Sequence, residues 1–490
     1  MGRNHAIDRR EHESKDLDAR GVSSGEDAGV DCKNHNMPAD EPDKLGAFEV
    51  QGSTKFVAKT NRSGQVLPGL DVLRGLAALG VVLLHACVPY MDPPVPGLTW
   101  SVMDEAHWFA SQCFWLIELF IMPIFLILAG YFAWGSLRRS GISRLIHTRA
   151  RRLLIPLGFG VAVVLPADLY IWLTGWVADG KIPLRKLKSL KFAGGVDQDL
   201  WGLSHLWFLE YLFLYMVVLG LAYAAYQRLP SLSRLTRSPI FCLGSLFTTA
   251  SLVLWFHPEV VWGFQHRFYP VPSKWIYSGT FFAAGVWFAV ADREMQWLAK
   301  NAMRNAGYSL ALIIPAMLLG QWHLRGGDQA IANMMLAMTT TAAASITTIS
   351  LMGFAARLRQ AIAVPWQYLA AASFWIYLVH HPLLGLLQID LKWLLPEASP
   401  VLKVLLGWAC SVSLSLLTYE VWIRKTWLGG LLGFGYSIAA VEQTTKLSSE
   451  LHLHGDSIVK LADRRVGDHG EPESVQDTGA ADDVEKRRAA

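Results

Sequence analysis

Apolar residues run along this chain in ten stretches, at 68–89, 108–135, 153–176, 204–226, 239–256, 274–291, 306–323, 331–354, 366–389 and 400–423. A helix needs roughly 20 apolar residues to cross a hydrocarbon layer about 30 Å thick, and these stretches match that length. The pattern predicts an all-α integral membrane protein, a polytopic bundle of about ten transmembrane helices. Outside it the hydrophobic pattern stops. Residues 1–65 and 426–490 are polar, mixed in charge and poor in aromatics, so they read as a disordered N-terminal tail and a largely disordered C-terminal tail around a multi-span domain at 66–425. No apolar core follows Met1–Arg10, so no cleavable signal peptide is expected and the first span is expected to direct insertion.

Charge sets the orientation. Arg138, Arg139, Arg144, Arg149, Arg151 and Arg152 crowd the second connection, Arg228, Arg234 and Arg237 the fourth, Arg293, Lys300 and Arg304 the sixth, and Arg357 with Arg359 the eighth. Lys55, Lys59 and Arg62 precede the first span, and Arg424 and Lys425 follow the last. The first loop carries Asp92, Asp104 and Glu105 and no lysine or arginine. The positive-inside rule then places both termini in the cytoplasm. One loop resists the scheme: residues 181–191 hold Lys181, Arg185, Lys186, Lys188 and Lys191, yet parity makes that loop external. It is either a tolerated exception or a basic patch that attracts an anionic partner.

Against this apolar background the ionisable residues stand out. Such groups cost about 2.5–3.5 kcal/mol at the centre of a span, so they face the bundle interior or a wet cavity. In LPGLDVLRGLAALGVVLLHA, Arg74 and His85 are eleven residues apart. Eleven residues make three helical turns plus about 20°, which puts both on one stripe about 16 Å apart along the axis. Asp71 joins that stripe near the helix start. Histidines at comparable depth come from two further spans: His205, beside Ser204 and with Glu210 deeper, and the pair His380–His381. Adjacent positions point about 100° apart, so one of that pair is enough to face a site. Pro382 frees a backbone carbonyl one turn earlier. Asp71, Arg74, Glu420 and Arg424, with Arg149 and Arg152, form a second predicted cluster toward the cytoplasm, in which Glu420 and Arg424 are an i,i+4 pair. Glu118 and Glu210 also suit structural hydrogen bonds, and tryptophans near span ends suit interfacial anchors.

Composition agrees. Of 490 residues 52% are hydrophobic and 17% charged, where a soluble chain has about a quarter charged. The net charge of +4 reflects basic residues at helix ends, so no nucleic-acid partner is expected. Cys32, Cys87, Cys113, Cys242 and Cys410 show no metal-ligand spacing; no metal and no disulfide framework are predicted.

Four segments in order, LDVLRGLAALGVVLLHA, RARRLLIP, HLWFLEYLFLY and SFWIYLVHHPL, resemble the acyltransferase-3 family of membrane O-acyltransferases. The family's Arg-x10-His signature matches Arg74 and His85, and its Arg-x-x-Arg element matches Arg149 and Arg152. The resemblance covers roughly 67–424 and implies a multi-pass protein of the bacterial inner membrane. Its implied donor is cytoplasmic acyl-CoA, with no bound cofactor, and its acceptor is a periplasmic polysaccharide. LVHHPL, SHLWFL and TYEVWIR are most similar to members that use succinyl-CoA to succinylate osmoregulated periplasmic glucans. Under that reading Arg149 and Arg152 hold coenzyme A phosphates, since guanidinium binds phosphate bidentately. The acyl arm follows the Asp71–Arg74–His85 stripe. His85 is a general base or a transient acyl carrier, and His205 with His380 or His381 supports the acceptor. O-acetylation of an exopolysaccharide or lipopolysaccharide is the alternative within the family. From another class, a proton-coupled transporter or flippase also suits buried Arg, His and Glu, but no internal repeat of the kind common in transporters is visible.

Overall fold

The computed structural model describes residues 68–190, 192, 199–228, 238–358 and 363–433. Both predicted tails, except 426–433, lie outside the described residues, as do Lys191, Arg234, Arg237 and Arg359. No strand occurs among the described residues. Within hydrocarbon every backbone N–H and C=O must be bonded inside the chain, and a helix does this without a partner strand.

The helices are α1 (Pro68–Cys87), α2 (Trp108–Phe159), α3 (Leu165–Ala178), the short α4 (Lys186–Ser189), α5 (Trp207–Arg228), α6 (Pro239–Phe256), α7 (Pro272–Ala291), α8 (Gln296–Leu324), α9 (Ala330–Arg357), α10 (Val364–Leu394), α11 (Pro400–Thr418) and α12 (Trp427–Leu431). Eight helical stretches among the described residues are long and apolar enough to cross a membrane. They differ from the ten predicted spans at two places. The predicted spans 108–135 and 153–176 fall in one helical run, Trp108–Ala178, of 71 residues. At 1.5 Å per residue that run measures over 100 Å, more than three hydrocarbon thicknesses. Gly141 breaks it with φ 77° and ψ 174°, a conformation that glycine adopts without a Cβ clash. The predicted span 274–291 is α7, which falls outside the eight because Ser273, Lys274, Ser278 and Thr280 dilute its apolarity.

α1 and α10 are the interior helices. Each has 67% of its most apolar window buried inside the protein, against 17% for the peripheral α6. α1 packs against α2, α9, α10 and α11. Small residues set the closest approaches. A Cβ on Gly285 of α7 would lie 2.1 Å from the Ile127 carbonyl oxygen of α2, and one on Gly130 would lie 2.1 Å from that of Phe282. The two backbones therefore touch through both glycines, as membrane helices do where a small residue lets them.

The basic loop after α3 lies at the same end of the bundle as the acidic first loop. Trp172 and Trp176 of α3 donate to the Thr99 and Trp100 carbonyls at 2.9 Å. Beyond them Asp179 pairs with Lys181 at 3.5 Å and with Lys392 of α10 at 2.5 Å. Lys181, one of the charges that break the topology rule, thus has an acidic partner. At the other terminus, packed structure continues past Lys425, the expected boundary of the tail: α12 is helical and Leu432 is 1% exposed.

Replacing Gly285 with Leu forces α2 and α7 apart and lowers stability by about 1–3 kcal/mol, the usual cost of overpacking. Thermal unfolding in detergent checks this, and an unchanged midpoint would count against the close approach.

Candidate active site

Three helices deliver imidazoles to one point. His85 ends α1, His205 sits in the turn of 3-10 helix that leads into α5, and His380 and His381 lie in α10. Ring centroids are 5.1 Å apart for His85–His380, 5.2 Å for His85–His381, 5.2 Å for His205–His380 and 4.5 Å for His205–His381. Both members of the adjacent pair enter the cluster, where helix rotation required one. Their neighbours on either side make this possible: His380 meets His85, while His381 turns toward α3.

Local backbone chemistry aims each ring. Pro382 has no N–H, so the Leu378 carbonyl one turn back is left without its helical donor. His205 Nε2 lies 3.3 Å from that oxygen and supplies the donor. His205 itself is held by Tyr377, whose hydroxyl donates to the His205 carbonyl at 2.5 Å. Ser204 opens the turn in the left-handed region, φ 49°. His85 Nδ1 lies 2.9 Å from the Val81 carbonyl and 3.4 Å from His380 Nε2. A carbonyl accepts only, so the neutral His85 ring carries its proton on Nδ1 and its lone pair on Nε2. His380 Nδ1 likewise faces the Ile376 and Tyr377 carbonyls at 3.1 and 2.9 Å.

The sequence reading missed the fifth member. Asp168 of α3 accepts from His381 Nδ1 at 2.9 Å, and both side chains are buried. The signal was available: Asp168 is an ionisable residue inside a predicted span, the same signal that marked His85. Trp100 and Trp172 also belong here rather than at an interface. The His381 ring stacks on Trp172 at 5.0 Å, and His85 stacks on Trp100 at 5.8 Å. Gln388 locks Trp100 in place, accepting from its indole N–H at 2.5 Å and donating to the Ala86 carbonyl at 3.1 Å.

A cavity of about 570 Å³ opens beside the cluster. His85 and His205 line one part of it, and Arg74, Arg149 and Arg152 line another. The stripe predicted on α1 therefore faces a single space. Arg74 is fixed by the Ala370 carbonyl at 3.0 Å and by Asp71 at 3.2 Å. Glu118 and Lys274, on facing helices α2 and α7, line the same cavity.

Other predicted site residues lie off it. Asp71 supports Arg74 but does not reach the cavity wall. Glu420 is bonded by Arg424 at 2.9 Å, with Tyr368 donating from 3.3 Å, and this partly exposed trio is spent locally. Glu210 and Ser204 are also absent from the wall, Glu210 with one buried carboxylate oxygen lacking a hydrogen-bond partner among the described residues.

A family model described as an acyltransferase domain matches residues 67–420. The chain belongs to the acyltransferase-3 family. No curated protein and no solved structure matches it. Membership makes the chain a multi-pass membrane acyltransferase, and the matched segment contains all four clustered histidines, Asp168 and the three cavity arginines. In this acyltransferase-3 protein His85, His205 and the three arginines line one cavity, while His380 and His381 pack behind His85 and His205 and do not reach its wall.

Gln388→Ala strips the buried Trp100 N–H of its acceptor. A loss of about 1–3 kcal/mol in stability is expected, the cost of one unsatisfied buried group, read by thermal unfolding beside the parent protein.

Proposed function

We propose that this acyltransferase moves a succinyl group from acyl-CoA at the cytoplasmic face to a hydroxyl of a periplasmic glucan. The observation that carries this reading is the single cavity shared by Arg74, Arg149 and Arg152 at one part and by His85 and His205 at another. Guanidinium groups suit a phosphate-rich donor, and imidazoles suit proton transfer from a hydroxyl. With Arg149 and Arg152 on the coenzyme A phosphates, the acyl-pantetheine arm lies along α1 toward His85.

At His85 the acceptor hydroxyl gives its proton to Nε2, the lone pair left open by the Val81 bond. The alkoxide oxygen attacks the thioester carbonyl carbon. The tetrahedral intermediate collapses, the C–S bond breaks, and the departing sulfur takes the proton to leave as free coenzyme A. The products are an ester and a thiol, and no electrons are exchanged. A relay through acyl-histidine uses the same lone pair. Acid quench of the enzyme with labelled acyl-CoA and no acceptor separates the routes, since the relay alone leaves label on the protein.

A succinyl group ends in a carboxylate, which needs a cationic neighbour inside the membrane. Lys274 supplies one. Its ammonium lines the cavity, donates to the Gln265 carbonyl at 2.7 Å and lies 3.7 Å from the centre of the Trp207 ring. An ammonium has three donors, so one remains for a carboxylate. The glucan acceptor rests on the resemblance of LVHHPL, SHLWFL and TYEVWIR to glucan biosynthesis protein C. It also rests on the exposed Arg185 and Lys188, basic groups that attract an anionic glycan.

His85→Ala, inserted at parent levels, is expected to lose about 10²-fold or more of transfer, the usual contribution of a positioned base. Mass spectrometry of the periplasmic glucan reads it, and full acylation by the variant rejects the mechanism. Lys274→Met is expected to cut succinyl transfer about ten-fold or more, the value of a charge-assisted hydrogen bond, while sparing acetyl transfer. A parent enzyme that leaves an acetyl rather than a succinyl mass increment would overturn the succinyl assignment.

A further inference from the structure

We infer that a polar pocket between α2 and α8, at the end of the bundle that carries the acidic first loop, is a second docking site for the acceptor polysaccharide. Its occupant is a neutral pyranose ring further along the chain from the one that is acylated. The pocket measures about 130 Å³ and is separate from the cavity lined by His85. Trp108, Ser111, Gln112 and Trp115 line it from α2. They are three, four and seven residues on from the first, which is one helix face. Gln321 and Arg325 line it from the end of α8, and Asp92 from the first loop.

The chemistry of this face does not suit lipid. Ser111 is spent on the first loop: its hydroxyl accepts from the Asp92 N–H at 3.0 Å and donates to the Asp92 carbonyl at 3.2 Å. The side chains of Asp92, Gln112, Gln321 and Arg325 make no hydrogen bond or ion pair among the described residues. Two carboxamides, a guanidinium and a carboxylate therefore offer donors and acceptors together to one space. A phosphate headgroup only accepts, and it meets the Asp92 carboxylate. The hydroxyl rim of a pyranose both donates and accepts, so it uses all four groups. Trp108 supplies the remaining part. It is 71% exposed, and the C–H face of a sugar ring packs on the electron-rich face of an indole.

The pocket lies beside the larger cavity. Trp115 on its wall packs against Trp262 with ring centroids 5.0 Å apart, and Gly263, the next residue, lines the cavity. The first loop joins the two spaces, with Asp92 on the pocket and Leu98 on the cavity. Between those positions the chain reaches about 20 Å at most. The loop is pinned there. Phe264 N–H donates to the Pro96 carbonyl at 2.8 Å, and a Cβ on Gly97 would lie 2.4 Å from the Phe264 carbonyl oxygen. A polysaccharide reaches both spaces at once, and a small sugar only one. With one ring seated the second contact is intramolecular, so the pocket raises affinity for long acceptors without touching the reacting atoms. The pocket's ligand is read from its own side chains; its coupling to transfer rests on the acyl-transfer reading above.

The test uses the full chain in detergent, with a disaccharide and an octasaccharide of β-linked glucose as acceptors and as ligands. For the parent, KM for the octasaccharide is expected to lie about ten-fold below that for the disaccharide, the worth of a hydrogen bond to a charged group. Trp108→Ala, Gln321→Ala and Arg325→Ala are expected to erase that ratio, and Trp108→Phe, which keeps a ring, to restore part of it. Leu116→Ala, on the neighbouring exposed face, is expected to keep it. Equilibrium dialysis of the octasaccharide without donor reads the pocket alone, and the three alanine variants are expected to bind about ten-fold more weakly. Monodispersity and thermal unfolding check that each variant folds, and the length dependence of the parent stands by itself if one does not. No octasaccharide binding by the parent, or equal KM for the two acceptors, overturns the proposal. A ratio kept in all three alanine variants overturns it too and leaves Trp108 an interfacial anchor beside a hydrated cleft. Phospholipid that copurifies with the parent and is lost from Arg325→Ala, with octasaccharide binding unchanged, assigns the pocket to a headgroup and overturns the proposal. Octasaccharide binding that depends on these residues, in a protein that transfers no acyl group, supports the pocket and rejects the acyl-transfer reading.

Discussion

The bond between Asp168 and His381 is made where water cannot help either partner, and the helices are arranged around that fact. A carboxylate or imidazole at membrane depth has to be bonded within the protein or left at a cost of several kcal/mol. Asp168 holds α3 to α10 through His381, at 2.9 Å. His205 holds the start of α5 to α10 through Leu378, and Arg74 holds α1 to α10 through Ala370. Interior helices are therefore joined by a few polar contacts in a setting where apolar contact with lipid competes on equal terms with apolar contact between helices. The lattice is directional, unlike the apolar packing around it, and so it fixes rotation as well as position.

The same bonds set the chemistry. An imidazole has one proton to place when neutral, and each bond to a carbonyl uses it. Val81 takes the proton side of His85, Ile376 and Tyr377 that of His380, and Leu378 that of His205. In every case the fold consumes the donor and leaves a lone pair pointing elsewhere. Pro382 contributes by subtraction: without its ring, Leu378 would be satisfied within α10 and His205 would lose its anchor. Glycines act in the same sense for packing, since Gly130 and Gly285 bring α2 and α7 together beneath a cavity that needs Glu118 and Lys274 on facing walls.

Much of this was legible from the order of residues. The rotation of an α-helix put Arg74 and His85 on one stripe, and both line the cavity. Depth along successive spans put His205 and the His380–His381 pair in one layer, and all four rings meet. What escaped notice did so for physical reasons. Asp168 lies in a long apolar run, and its partner His381 is distant in sequence, so no local spacing announces the pair. Trp100 and Trp172 follow the rule for interfacial anchors in sequence and are buried against histidines in space. Glu420 shows the converse: its i,i+4 arginine looks like part of a charged cluster, and that nearness is why it is satisfied locally and takes no place in the cavity. The 71-residue run defeated a count of spans because a backbone at positive φ, rather than a polar loop, ends the helix at Gly141.

For the transfer proposed above, from acyl-CoA on one face of the bilayer to a glycan on the other, the separation of arginines from imidazoles has a consequence. Arg74 and His85 lie about 16 Å apart along α1, roughly half the hydrocarbon thickness. A coenzyme A nucleotide with its phosphates cannot enter that depth, and a hydrated glycan cannot either, since each carries more polar surface than the bundle can satisfy. The acyl-pantetheine arm is the one part of either substrate that is thin and flexible enough to follow an apolar channel. A cavity walled by phenylalanine and leucine, with cations at one part and imidazoles at another, fits a transfer in which that arm alone crosses. The polar groups at the ends then need not move. They need to be held, and the carbonyl bonds that fix their protons and their rotation do that.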